Sequence, residues 1–208
     1  MSATQPPHIP IRNVIFDMGN VLMTFDGPAF SRAFTDTPED AGLLQAALFG
    51  RTEWALLDSG TIDHDTMRRV AEAHLPERLH PNLRECLARW PELSRPIRST
   101  NELAARLKNE GYGIYLLSNA STRIREQLDH MPAFPLLDGW VCSAFERIMK
   151  PDPAIFHLTC ERFGLVPNEC LFVDDNADNC EGAHVAGMRA FRYANNTAEL
   201  EERIASRR

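Results

Sequence analysis

The sequence predicts an α/β fold, a Rossmann-like parallel sheet with an inserted helical bundle. Three observations lead there. Short apolar runs of strand length alternate with amphipathic helical segments, the pattern of parallel strands joined by right-handed crossovers. The runs lack polar alternation, as strands covered on both faces do. And a stretch of about 70 residues near the start reads as helical throughout, far more than one crossover requires.

The first strand is Val14-Ile15-Phe16. The next is Ile114-Tyr115-Leu116-Leu117, then Trp140-Val141-Cys142 and Leu171-Phe172-Val173. A fifth candidate, Ala190-Phe191-Arg192-Tyr193, alternates and suits a sheet edge. Helices are expected over Asn101–Glu110, stopped by Gly111, and over Pro153–Phe163, with Pro153 in its first turn. Two more are expected over Asn179–Ala186, ended by Gly187, and Thr197–Ser206. Between the first two strands the amphipathic segments are Ala29–Phe34, Glu39–Phe49, Asp63–His74 and Pro81–Trp90. The expected organisation is a core of residues 11–26 and 96–208, a helical insert over 27–95, and a short lead-in, Met1 to Pro10.

Composition narrows the function. The chain has 208 residues, with 22 Lys+Arg against 29 Asp+Glu and a formal charge of −7. Hydrophobic residues at 44% exclude a disordered chain. The acidic balance argues against gripping nucleic-acid phosphates or an anionic membrane. No apolar run approaches the ~18–20 residues that span a bilayer, and no secretory signal is visible. The five cysteines, Cys86, Cys142, Cys160, Cys170 and Cys180, have no metal-ligand spacing, which fits reduced thiols in a cytoplasmic protein. The patterns Asn119-Ala120-Ser121 and Asn195-Asn196-Thr197 are read as chance matches to a glycosylation signal.

Three strands run into polar residues: Asp17, Ser118-Asn119 and Asp174-Asp175. Ligands of open parallel sheets bind outside the carboxyl ends of the strands, so these residues are expected to converge. Three carboxylates in one small space stay ionised together only beside a cation. Oxygen ligands without His or Cys suit a hard ion such as Mg2+. A calcium loop at Asp174–Asn179 fails, because its sixth position is Asn179 rather than Gly and its twelfth is Val185 rather than Glu.

These residues bring a family into view. Phe16-Asp17-Met18-Gly19-Asn20-Val21-Leu22 resembles the first motif of haloacid dehalogenase-like (HAD) hydrolases, Ser118-Asn119 the second, Lys150-Pro151 the third, and Val173-Asp174-Asp175 with Asp178-Asn179 the fourth. The insert is similar to the family's small helical cap, and the wording of the first and fourth motifs looks like the subgroup containing bacterial glucose-1-phosphate phosphatases. The resemblance implies a HAD fold and a Mg2+-dependent phosphatase. Its substrate would be a small phosphorylated metabolite, such as a sugar phosphate. In that reading Asp17 is the nucleophile. Met18, Gly19, Ser118, Asn119 and Lys150 would contact the phosphoryl group. The metal would be held by Asp17, the Gly19 carbonyl, Asp174 and Asp175, with Asp175 the direct ligand and Asp174 a partner of Lys150 or a water-mediated ligand. Asp178 and Asn179 would shape the loop.

One position departs from the family pattern. Most of its phosphatases carry a second Asp two residues after the nucleophile as general acid and base, and here that position is Gly19. Proton transfer of this kind is commonly worth 10²–10⁴-fold. Either the leaving group needs little help, as in aryl, acyl or anomeric phosphates, or a cap residue such as Glu53, Asp58 or His64 or a bound water supplies the proton. Alternatives are a regulatory module that binds metal and phosphate with little turnover, and a 2-haloacid dehalogenase, against which the Asp174-Asp175 pair argues. The cap is expected to close over the site and exclude water. Trp54, Trp90 and Phe49 either line its pocket or pack in its core.

Overall fold

The computed structural model describes residues 9–206, so the first eight residues of the expected lead-in lie outside it. Five parallel strands form one sheet: β1 Asn13–Phe16, β2 Gly113–Ser118, β3 Gly139–Cys142, β4 Cys170–Asp174 and β5 Arg189–Arg192. Their spatial order is β3-β2-β1-β4-β5. Connections leave β1 toward β2 on one side, while β4 lies on the other. That reversal opens a crevice at the carboxyl end of β1, where open α/β sheets bind ligands.

The strands are buried on both faces because their side chains alternate between two cores. Val14, Phe16, Leu116, Leu171 and Val173 pack on one side, and Ile15, Leu117, Phe172 and Val141 on the other. Each such side chain, nearly or fully buried, contributes on the order of 1.5–3 kcal/mol.

Five helices follow β1 and pack together: α1 Gly27–Ala33, α2 Pro38–Leu48, α3 Thr52–Asp58, α4 His64–Ala73 and α5 His80–Arg89. Local chemistry starts three of them. Asp26, Thr37 and Asp63 accept from backbone N–H groups in the first turns of α1, α2 and α4. These helices share their own apolar cluster, including Phe30, Leu44, Leu48, Met67, Leu83 and Trp90. The chain enters and leaves this body side by side. Thr24 N–H donates to the Arg95 carbonyl, and Arg95 N–H donates to Thr24 Oγ1.

The remaining helices are α6 Arg98–Asn109, α7 Arg125–Leu128, α8 Ser143–Glu146, α9 Pro153–Phe163, α10 Ala177–Val185 and α11 Thr197–Ala205. The expected helices fall within a few residues of these. Three helices were not expected: α3, α7 and α8. Each has seven residues or fewer and no side-chain N-cap bond, so neither periodicity nor capping marks it. No helix among the described residues is long and apolar enough to cross a membrane.

Candidate active site

Strand register assembles the site. Phe16 stands beside Val173 and Leu116, so Asp17, one residue on, stands beside Asp174 and Leu117. Lys150 enters between them and is 2% exposed. Its Nζ donates to Asp17 Oδ1 at 2.7 Å, to Asp174 Oδ2 at 2.7 Å and to the Leu117 carbonyl at 3.0 Å. All three ammonium donors therefore have protein acceptors.

The loop carrying Lys150 is pinned from β2. Asn119 accepts from Lys150 N–H through Oδ1 and donates to the Lys150 carbonyl through Nδ2, both at 2.9 Å. The Asn119 side chain thus orients the lysine, and both of its amide functions are engaged.

One carboxylate oxygen each from Asp17, Asp174 and Asp175 lies within 4.8 Å of the others. The two acids of the fourth motif differ sharply. Asp174 is fully buried and accepts from Lys150, from Asn176 N–H and from Asn179 Nδ2. Asp175 is half-buried, faces the cavity and accepts from Asn20 Nδ2 at 3.2 Å. Three carboxylates against one ammonium leave two negative charges, which a divalent cation would balance. The donor set is all oxygen, so the residues fit a hard ion such as Mg2+.

Burial dominates the electrostatics. It raises the Asp17 carboxyl to about 6, with Lys150 opposing and Asp174 adding to the rise. Burial works against the Lys150 ammonium, but Asp17 and Asp174 outweigh it and hold its pKa above the ordinary lysine value. Burial also raises Asp175.

Asp17, Met18, Gly19, Ser118, Asn119, Lys150 and Asp175 all line one cavity of about 250 Å³. The cap supplies the opposite wall, with Trp54, Asp58, His64, Trp90 and Pro91. Of the three cap groups singled out by sequence, Glu53 pairs with Arg51 and does not line the cavity. His64 Nε2 lies 3.3 Å from Ser121 Oγ, and burial, aided by Arg123, holds the ring's pKa below its ordinary value.

Asp58 is the best-positioned of the three. It ends α3, where Ser121 N–H and the Trp54 indole favour its ionised form without outweighing burial. Burial and then the charge of Asp17 raise its carboxyl to about 8. Its carbonyl accepts from Ser143 Oγ at 2.5 Å. Two residues on, Gly60 has φ +68° and lies so close to the core that a Cβ there would sit 2.3 Å from the Ala144 carbonyl oxygen. The α3–α4 turn is therefore seated directly on the core.

Trp54 and Trp90 do both things expected of them. They line the cavity and pack in the cap interior, with ring centroids 5.6 Å apart. Phe49 lies behind them, 4.7 Å from Trp54, and does not line the cavity. Sequence reasoning overlooked Asn20 as the partner of Asp175, Asn179 as a donor to Asp174, and Ser143 as the seat of the cap turn. The first two stood inside the quoted motifs, and Asn20 sits at φ +55°, a conformation asparagine tolerates.

This fold, with these residues at the strand ends, defines a hydrolase of the HAD superfamily. The haloacid dehalogenase-like hydrolase family model matches residues 11–187, and the chain belongs to that family. A sesquiterpene phosphatase of Aspergillus oryzae is 27% identical over 195 residues, covering 90% of this chain and 92% of the relative. (S)-2-haloacid dehalogenase 4A of Burkholderia cepacia is 34% identical over 92 residues, which is 44% of this chain and 40% of that enzyme. Among solved structures, a HAD-family enzyme of Bacteroides thetaiotaomicron in complex with magnesium superimposes with a TM-score of 0.72 at 19% identity, over 93% of this chain and 99% of that one.

Proposed function

We propose that this hydrolase is a Mg2+-dependent phosphatase that cleaves small phosphate monoesters through an aspartyl-phosphate on Asp17. The observation that carries the reading is Lys150, buried and bridging Asp17 and Asp174 beside the open Asp175. Asp17, Asp175 and the Gly19 carbonyl would hold the ion, with Asp174 behind them fixing Lys150. Bound there, Mg2+ supplies charge neutralisation for the phosphoryl oxygens.

Asp17 Oδ1 is held by Lys150, which leaves Oδ2 to attack phosphorus as the ester P–O bond breaks. Ser118 and the Met18–Gly19 turn line the cavity from β2 and β1, where they would face the phosphoryl group. Lys150 acts on it through charge, its three protons being engaged within the protein. Asp58 fills the place that Gly19 leaves empty. Protonated near neutral pH, it gives its proton to the leaving alkoxide. As the carboxylate, it then takes a proton from the water that hydrolyses the aspartyl-phosphate, releasing phosphate and Asp17. On this account Gly19 does not confine the enzyme to activated leaving groups.

The test is release of p-nitrophenol from p-nitrophenyl phosphate with Mg2+, beside Asp17→Asn, together with mass spectrometry of the trapped phosphoprotein. Metal-dependent turnover lost in the variant, with phosphate on Asp17, is expected. Ligand binding without turnover would instead support a regulatory module. The resemblance to a dehalogenase supports a second reading, haloacid hydrolysis, and halide release without metal would establish it.

A further inference from the structure

We infer that the alcohol half of the substrate is compact, uncharged and largely apolar: an aromatic ring or a short branched chain. This rests on the phosphatase reading above and goes beyond it to the substrate's chemical class.

The cavity wall opposite Asp17 is aromatic. Phe25 lies 5.9 Å from Trp54 and 5.5 Å from Trp90, centroid to centroid, and all three rings line the cavity. Pro91 and Ile124 extend that surface. Rings packed against one another, Phe25 edge-to-face on Trp90 and tilted on Trp54, present a rigid apolar wall, which binds apolar groups without having to order itself first. At about 250 Å³ the space is smaller than the ~300–1,000 Å³ of drug-sized sites. The occupant is therefore a single ring or a few branched carbons.

The cations of the same wall are already engaged with the protein. A carboxylate-bearing phosphate needs a cation beyond the phosphate site, and the lining cations are Lys150 and Arg123. Lys150 belongs to Asp17 and Asp174. Arg123 donates to both carboxylate oxygens of Glu126 and to the Leu87 and Ala88 carbonyls. His64 shares Ser121 Oγ at 3.3 Å, and burial disfavours its protonated form. Gln127 Nε2 donates to Ser94 Oγ at 3.3 Å. A second anionic group would thus lose its water for no free cation, and a ring of sugar hydroxyls would find few free partners.

The test is a kcat/KM panel on the wild-type enzyme with Mg2+, read as released phosphate. It comprises acetyl phosphate, benzyl phosphate, 3-methylbut-3-enyl phosphate, phosphoglycolate, O-phosphoserine and glucose 1-phosphate, plus n-alkyl phosphates from methyl to pentyl. Benzyl and methylbutenyl phosphates are expected to exceed the two carboxylates and the sugar at least tenfold. The alkyl series should climb about fourfold per methylene over its first members. Acetyl phosphate carries almost no tail and reports the phosphoryl chemistry alone. If it is hydrolysed while phosphoglycolate, phosphoserine or glucose 1-phosphate equals the apolar esters, or the alkyl series is flat, the substrate class is wrong and the phosphatase reading stands. If no member releases phosphate, both fall.

Discussion

Ser143 Oγ, at the start of α8, donates to the carbonyl of Asp58 in the cap, 85 residues away in sequence. The same hydroxyl accepts from Ala120 N–H, in the loop that follows Ser118. One side chain thus ties Asp58 of the cap to the loop that follows Ser118. Gly60 completes the seat by its close approach to Ala144. Ser143→Ala removes both bonds and should cost about 1–2 kcal/mol of stability. Its larger effect should be on kcat, since displacements of an ångström in a proton-transfer group are felt. Gly60→Ala adds a Cβ where φ is positive and the Ala144 carbonyl blocks it, and should be worse on both measures. Thermal unfolding and steady-state kinetics on p-nitrophenyl and benzyl phosphates would check the pair.

Asp58→Asn isolates the proton. Asparagine keeps the size of the side chain and one acceptor oxygen but has no titratable proton. The variant should lose roughly 10²–10³-fold in kcat/KM for benzyl phosphate, with less than tenfold for p-nitrophenyl phosphate, whose leaving group needs no proton. The leaving-group preference expected from Gly19 alone should therefore emerge in this variant. In the wild type, turnover of benzyl phosphate should fall as pH rises through about 8, where Asp58 ionises, and the variant should lack that limb. Equal losses on both substrates would mean that Asp58 only shapes the pocket.

The same carboxyl predicts a pH dependence of stability. Between about pH 4 and pH 8 the folded protein keeps a proton on Asp58 that the unfolded chain has released. Stability contributed by this site therefore falls as pH rises across that window and is level above it. Asp58→Asn has no such proton. Its Tm relative to wild type should rise between pH 5 and pH 8, by roughly 2–4 °C for each kcal/mol involved. A difference in Tm that stays constant with pH would contradict the raised carboxyl.

The two adjacent acids of β4 should separate stability from metal binding. Asp174 is buried under Lys150, Asn176 and Asn179, so Asp174→Asn leaves a buried ammonium with one carboxylate fewer to balance its charge. That should cost about 3–5 kcal/mol, whether or not Mg2+ is present. Asp175 is half-buried and bonded to Asn20 on the cavity side. Asp175→Asn should leave Tm within a few degrees of wild type, while raising the Mg2+ concentration for half-maximal activity at least tenfold. Melting curves with and without Mg2+ and a metal titration of activity distinguish the two roles.

The contrast between these residues shows what the sequence could reveal. The sheet was legible because both its faces are covered, so each strand is a continuous apolar run, and because polar residues follow at the strand ends. Lys150 was legible through the stiff Pro151-Asp152-Pro153 turn behind it, which starts α9 with Asp152 capping Ala154 N–H. The seat of the cap was not. The helix α3 has seven residues, too few to display a period, and its partner Ser143 is distant along the chain. Asp58 could be named only as one of three polar cap residues, because its neighbours Ser121 and Asp17 come from the core and its burial is a property of the closed pair. The engagement of Arg123 with Glu126, Leu87 and Ala88 was equally hidden, since two of its partners are backbone carbonyls.

Gly19 itself offers the most direct reversal of this arrangement. A Cβ built there would meet Phe25 Cβ at 3.8 Å and Asp17 Oδ2 at 3.9 Å, which are ordinary contacts. Packing therefore does not require glycine at this position. In the Asp58→Asn background, Gly19→Asp should restore benzyl phosphate turnover at least tenfold, because the new carboxyl lies two residues from Asp17 and can do what Asp58 did. On p-nitrophenyl phosphate the double variant should match Asp58→Asn. In the wild-type background the gain should be small, since two acids would then compete for one proton transfer. Rescue confined to the Asp58 variant identifies the two positions as alternative sources of the same proton. A folded double variant with no rescue, alongside a Gly19→Asp single variant that gains as much as the double was expected to, would assign that proton elsewhere.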